Sequence, residues 1–146
     1  MSQKTLIYVD TSVWNFALET TRPDSIFTYE FLLLFKKDEY KAIISNVVKA
    51  EIDDAPEPRK NQLIELLKLT NAEILHASDE TLNLAELYVK KELIPQEYIN
   101  DAIHIAAATV NRCNFLVSWN FKHIVRAKVI MGVHHVNHAE GYGLLE

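Results

Sequence analysis

Cysteine, glycine and proline are scarce in this chain of 146 residues, which holds one, three and four of them. Cys113 stands alone, so no internal disulfide can form and the expected setting is a reducing compartment. There is no low-complexity run, internal repeat or Gly/Pro-rich linker, and the length suits one domain spanning residues 1–146. Positive charge is also short: 15 Lys and Arg face 20 Asp and Glu, for a net charge of −5. A protein that binds nucleic acid through its overall field would be basic, so any such substrate here must be held locally, by a metal or a small basic patch. No apolar run approaches the roughly 18 residues of a membrane span. The run after Met1-Ser2-Gln3-Lys4 ends at Asp10, too short for a signal segment. The expected location is cytoplasmic, with no membrane partner.

What is present is a chain with 49% hydrophobic and 24% charged residues, enough apolar surface for a core and too much for disorder. Short β-prone runs alternate with helical stretches. Leu6–Val9 reads as a buried strand closed by Asp10, followed by a helix over about Ser12–Glu19. Pro23 and Asp24 open a second helix with Phe27, Phe31, Leu34 and Phe35 near helical spacing. Ala42–Ile44 is a second strand, and Asn46 is a candidate N-cap for a helix carrying Val47, Val48, Glu51 and Ile52. Pro56 and Pro58 break the chain before a helix over about Arg59–Leu69. Glu73–Leu75 is a third strand, Ser78 caps a helix through Tyr88, and Ile94-Pro95 is a turn. An alanine-rich helix covers Ile99 to about Val110, Phe115–Val117 is a fourth strand, and a further helix begins near Phe121. Gly141-Tyr142-Gly143 marks a turn, and Leu144-Leu145 is the stub of a fifth strand. This alternation predicts an α/β fold: a three-layer sandwich with a parallel sheet of four to five strands between helices.

Three carboxylates sit where a solvated helix face would not put them. Asp10 ends the first strand, and in open α/β sheets the carboxyl ends of strands line the ligand crevice. Glu51 follows Val47 by four residues and shares its apolar face. Asp101 precedes Ile105 by four and Ala108 by seven, again on an apolar stripe. Inward carboxylates are costly unless paired or bound to metal, and three together raise one another's pKa. A hard cation such as Mg²⁺ or Mn²⁺ resolves both problems. Each residue also has a plainer reading: Asp10 as a helix cap, Glu51 as an exposed acid, Asp101 as a first-turn residue favoured by the helix dipole. Asn120, after the fourth strand, falls at the same sheet edge and also suits an N-cap. Thr11, Ser12 and Ser118 add hydroxyls there, of the kind that usually serve local backbone.

These residues lie in four blocks that resemble the PIN-domain nuclease family, the group containing the VapC-like toxins. The blocks are Tyr8-Val9-Asp10-Thr11-Ser12, the segment Ile44 to Ile52 around Glu51, the segment Asn100 to Ala108 around Asp101, and the segment Leu116 to Ile124 around Asn120. They occur in order, each attached to the expected strand or helix, and the resemblance runs from Leu6 to about Tyr142. It implies metal-binding roles for Asp10, Glu51 and Asp101. The family's fourth acidic position falls on Asn120, which brings hydrogen bonds but no charge and implies a weaker second metal. The chain also departs from the pattern at its last strand.

The resemblance implies an endoribonuclease dependent on Mg²⁺ or Mn²⁺, with RNA as substrate, a small antitoxin as partner, and a homodimer. The reaction would be hydrolysis of an RNA phosphodiester by a water whose pKa the metal lowers. Lys49, Lys122, His123 and Arg126 are candidates for phosphate contact, each equally suited to solvated surface. Phe27 to Phe35 is a candidate interface. The rival reading is a non-catalytic PIN-like binding or scaffold module, supported by Asn120. A haloacid-dehalogenase-like phosphoryl transferase would need an aspartate where Ser12 stands. His134, His135 and His138 are too few for a closed zinc site without further ligands. Trp14 and Trp119 suit either core packing or base stacking.

Overall fold

Strands and helices alternate as the apolar pattern predicts. The computed structural model describes residues 3–146; Met1 and Ser2, part of the N-terminal run read above, lie outside the described residues. Among these residues four strands form one sheet: β1 (Thr5–Val9), β2 (Tyr40–Ser45), β3 (Glu73–Leu75) and β4 (Phe115–Val117). Their order is β3-β2-β1-β4 and all pairs are parallel, with Tyr8 opposite Ile43 on one side and Leu116 on the other. Consecutive residues Ile7, Tyr8 and Val9 on β1 and Ala42 to Ser45 on β2 are buried. Burial of both faces requires helices on both sides, which is why these strands read as unbroken apolar runs rather than alternating ones.

The helices are α1 (Thr11–Phe16), α2 (Ser25–Leu33), α3 (Asn46–Asp53), α4 (Arg59–Thr70), α5 (Asp79–Lys90), α6 (Ile99–Val110) and α7 (Ala127–Ala139). The alanines of α6 let it approach its neighbours closely, and Ala102 to Thr109 are all buried. Trp14 on α1 is wholly buried and donates its indole N–H to the carbonyl of Val9 at 3.1 Å, so this tryptophan belongs to the core. Deeper polar groups are satisfied in pairs. The Tyr88 hydroxyl donates to Asn137 Oδ1, and Asn137 Nδ2 donates to Thr109 at 3.1 Å. Among the described residues no buried side-chain nitrogen or oxygen lacks a partner. No helix there is long and apolar enough to cross a membrane.

Several local expectations are corrected. The N-cap of α3 is Ser45, whose hydroxyl accepts from the Val47 N–H, while Asn46 turns outward and accepts from the Ala77 N–H at 2.8 Å. The helix expected from Phe121 begins only at Ala127. Asn120 does cap a turn, accepting from the His123 N–H at 2.9 Å, but its carbonyl takes both the Ile124 and Val125 N–H groups and Arg126 is extended, so no helix propagates. The helix after β1 stops at Phe16 rather than Glu19. The fifth strand is reduced to one residue: Glu146 N–H donates to the Asn114 carbonyl and Leu116 N–H donates to the Glu146 carbonyl, the pattern of a parallel pair beside β4.

Candidate active site

The chain reverses direction across the sheet between β1 and β4: β2 lies on one side of β1 and β4 on the other. In open α/β sheets the crevice at such a reversal, beyond the carboxyl ends of the strands, is where ligands bind. Asp10 leaves β1 at this point and Ser118 leaves β4. Both meet directly. The Asp10 carboxylate is buried and accepts from the Ser12 N–H at 2.5 Å, capping α1, and from the Ser118 hydroxyl at 2.5 Å. Asp10 is thus a cap that also reaches across the crevice to β4, and capping leaves its second oxygen on Ser118.

Glu51 approaches from α3. Val48 and Ile52 on that helix are buried, while Glu51 is half-buried at the rim. Its Oε1 accepts from the Thr11 hydroxyl at 2.6 Å and meets Nε2 of His104 at 3.0 Å. His104 is itself buried on α6, three residues after Asp101 and therefore on the same helix face. Its Nδ1 lies 2.8 Å from the Tyr8 hydroxyl, which donates to Ser45 at 2.8 Å. Ser45, Tyr8, His104 and Glu51 form one hydrogen-bonded chain through the core. Desolvation pushes the Tyr8 phenol far above its ordinary range, so it stays a neutral hydroxyl in this chain.

Asp101 completes the group from the first turn of α6. Its Oδ2 meets Nδ1 of His123 at 3.0 Å, and the His123 ring stacks on Tyr98 with centroids 3.9 Å apart. Burial raises the Asp101 carboxyl above its ordinary value. The charges of His104 and His123 and hydrogen bonding from Asn120 pull the other way, and the charge of Asp10 adds to the rise. Asn120 and Asp10 therefore both lie near Asp101, with the Asn120 Oδ1 engaged by the His123 N–H. Glu51 behaves oppositely: burial raises its pKa, but hydrogen bonds from His104 and Thr11 and the charge of His104 outweigh that and lower it.

This difference has a measurable consequence. A depressed folded-state pKa means that Glu51 contributes stability above the ordinary glutamate range and loses it as pH falls through the depressed value. Glu51→Gln should therefore unfold at lower urea concentration than wild type at pH 7, by no more than about 1 kcal/mol because the group is partly solvated. The gap should close as pH falls below the ordinary glutamate range. A gap that persists unchanged in acid would mean that packing, not charge, is what the substitution removes.

The cationic candidates are mostly committed elsewhere. Lys49 pairs with Asp53 at 2.6 Å, Arg126 donates to the Lys122 carbonyl, and His123 holds Asp101. Lys122 lies 5.9 Å from the Tyr98 ring centroid. His134 gives Nε2 to the Leu145 carbonyl at 2.8 Å, which ties residue 145 to α7. Sequence reasoning missed His104, Tyr8 and Ser45. The signal for His104 was its three-residue spacing from Asp101; nothing in the sequence joins Tyr8 to Ser45.

The donor set suits a hard cation: Asp10 and Asp101 are near enough to interact electrostatically, both are at least partly desolvated, and oxygen ligands are what Mg²⁺ and Mn²⁺ prefer. Among the described residues no three His, Cys, Asp or Glu side chains are placed to hold one ion together. Mg²⁺ commonly takes only one or two carboxylates and keeps several waters.

No protein-family model and no curated protein matches this chain. Solved structures do. One is the structure of VapBC2 from Rickettsia felis bound to a DNA fragment from its promoter, 22% identical, covering 81% of this chain and 90% of that one with a TM-score of 0.54. Another is Mycobacterium tuberculosis VapC20, described as a Sarcin-Ricin loop cleaving toxin, 15% identical, covering 84% of this chain and 98% of that one with a TM-score of 0.59. With its parallel sheet in the order β3-β2-β1-β4 and its acidic residues at the carboxyl edge, the chain has the PIN-like fold of the VapC proteins.

Proposed function

We propose that the chain is a metal-dependent endoribonuclease, the toxin half of a toxin–antitoxin pair. The observation that carries this reading is the placement of a buried Asp10 at the β1/β4 crevice, beside Ser118, with the partly buried carboxyl of Asp101 entering from the first turn of α6. Carboxylates desolvated in this way cost stability when unneutralised; a divalent cation would offset that. Asp10 and Asp101 would hold Mg²⁺ or Mn²⁺, with Glu51 acting through water and Asn120 hydrogen-bonding beside them. A bound cation supplies positive charge for activating water and for stabilising the charge that develops on phosphate.

The chain's own residues do the rest. Ser118 and Ser12 fix both oxygens of Asp10. Thr11 and His104 fix Glu51, and His104 is in turn fixed by Tyr8. A carboxylate held this way needs little reorganisation at the moment of reaction. The acidic net charge agrees with an RNA substrate drawn in locally rather than by the whole surface. The VapC neighbours support an antitoxin as partner, one of them having been solved as a VapBC2 complex on DNA; a homodimer is proposed on the family resemblance alone.

Purified protein should cleave single-stranded or looped RNA in Mn²⁺, and chelator should stop it. Gel analysis of end-labelled RNA measures this. If no RNA is cut with metal present, the binding-module reading takes over, and Asn120 in the fourth position is the observation that favours it.

A further inference from the structure

Beside the carboxylates lies an open cleft of about 440 Å³ between α2 and the loop after β4. Phe27, Phe31, Trp119 and Phe121 supply its apolar walls, and Asp24 and Ser118 its polar ones. Phe27 is 66% exposed and Phe121 59%, so both rings have faces open to the cleft and solvent. Trp119 is fixed rather than loose. Its ring stacks on Phe16 at 4.6 Å, meets Phe121 edge-on at 5.9 Å, and donates Nε1–H to Thr28 at 3.2 Å. Ser118 both lines the cleft and donates to Asp10, so cleft and carboxylates share a wall.

We propose that this cleft is the pocket for one unpaired guanine base of the RNA, held among Phe27, Trp119 and Phe121 and read by Asp24. The proposal rests on the nuclease reading above. A phosphodiester placed at Asp10 puts a neighbouring base within one nucleotide of Ser118, and unpaired bases are recognised by stacking on aromatic rings and by hydrogen bonds to their edges. Asp24 selects among bases. It precedes α2 without capping it, so its carboxylate is not tied to the helix. An ionised carboxylate only accepts. Guanine alone presents two adjacent donors, N1–H and N2–H, on its Watson–Crick edge; the other bases place an acceptor beside their single donor. An apolar helix laid over the same rings would instead cover the Asp24 charge without a donor, which is costly.

The test uses the whole chain in chelator, so that nothing is cut. Trp119 is the reporter, since Trp14 is wholly buried. Single-stranded UUGUU should quench the fluorescence and bind about tenfold more tightly than UUUUU, a difference typical of one bidentate contact. Asp24→Asn should erase that preference. Phe27→Ala and Phe121→Ala, at exposed rings whose removal spares the fold, should weaken both oligonucleotides. Equal binding of the two, or a preference that survives Asp24→Asn, overturns the proposal. So does quenching by an amphipathic leucine-rich peptide with silence toward every oligonucleotide, which would assign the cleft to a protein partner. Cleavage in Mn²⁺ with no guanine dependence refutes the pocket and leaves the nuclease reading; guanine binding without any cleavage does the reverse.

Discussion

Asp101→Asn is expected to lower Mn²⁺-dependent RNA cleavage by roughly 10²- to 10³-fold or more, the scale of losing one preorganised electrostatic group. The fold should survive and gain slightly at neutral pH. Because burial raises the Asp101 pKa, the folded chain holds that proton more tightly than the unfolded chain does. The resulting stabilisation is complete below the ordinary aspartate range and is lost as pH rises through the raised value, so at pH 7 the ionised group is a net cost. Asparagine keeps the shape and removes that cost. The denaturation midpoint of the mutant should match or exceed wild type at pH 7, by up to about 1 kcal/mol, and the two should converge in acid. The loss of the His123 contact works against this gain, but burial is the larger effect on Asp101. Cleavage at wild-type rate by the purified mutant would place the activity elsewhere or in a contaminant.

Asp10→Asn should weaken Mn²⁺ binding by more than roughly a hundredfold, beyond what loss of an outer hydrogen-bonding partner costs. Calorimetry at neutral pH measures it. Asparagine is as good an N-cap as aspartate, so the Ser12 N–H keeps its acceptor and α1 keeps its start. The Ser118 hydroxyl can rotate to accept from the new amide. The effect is therefore on charge, not on folding. In wild type, affinity should fall as pH drops and the acids protonate. The fall should begin above the ordinary aspartate range, because burial raises the Asp101 carboxyl. Equal binding by wild type and Asp10→Asn would remove Asp10 from the site.

Asp10, Asp101 and Glu51 were conspicuous in the sequence because each breaks an apolar pattern at the start or end of an element. Such patterns are local: β-prone runs of three to six residues, helical spacing of apolar side chains, serine or aspartate at a helix start. They were enough to determine the alternation of strands and helices and the parallel sheet.

Tertiary structure decided what depends on residues distant in the chain. His104 is an ordinary member of a buried helix until the fold brings Glu51 and Tyr8 to its two ring nitrogens, across 53 and 96 residues. Asn120 suits a helix start by sequence, yet the helix fails because its carbonyl closes a turn that its side chain caps at the His123 N–H. The fifth strand is one residue of backbone pairing, and only the position of β4 at the sheet edge lets Glu146 make it. The aromatic cleft joins α2 to the loop after β4, 91 residues apart at the Trp119–Thr28 bond. Periodicity reports which face of one element is apolar. Which polar groups from different elements meet, and which apolar rings stay uncovered, follows from packing alone.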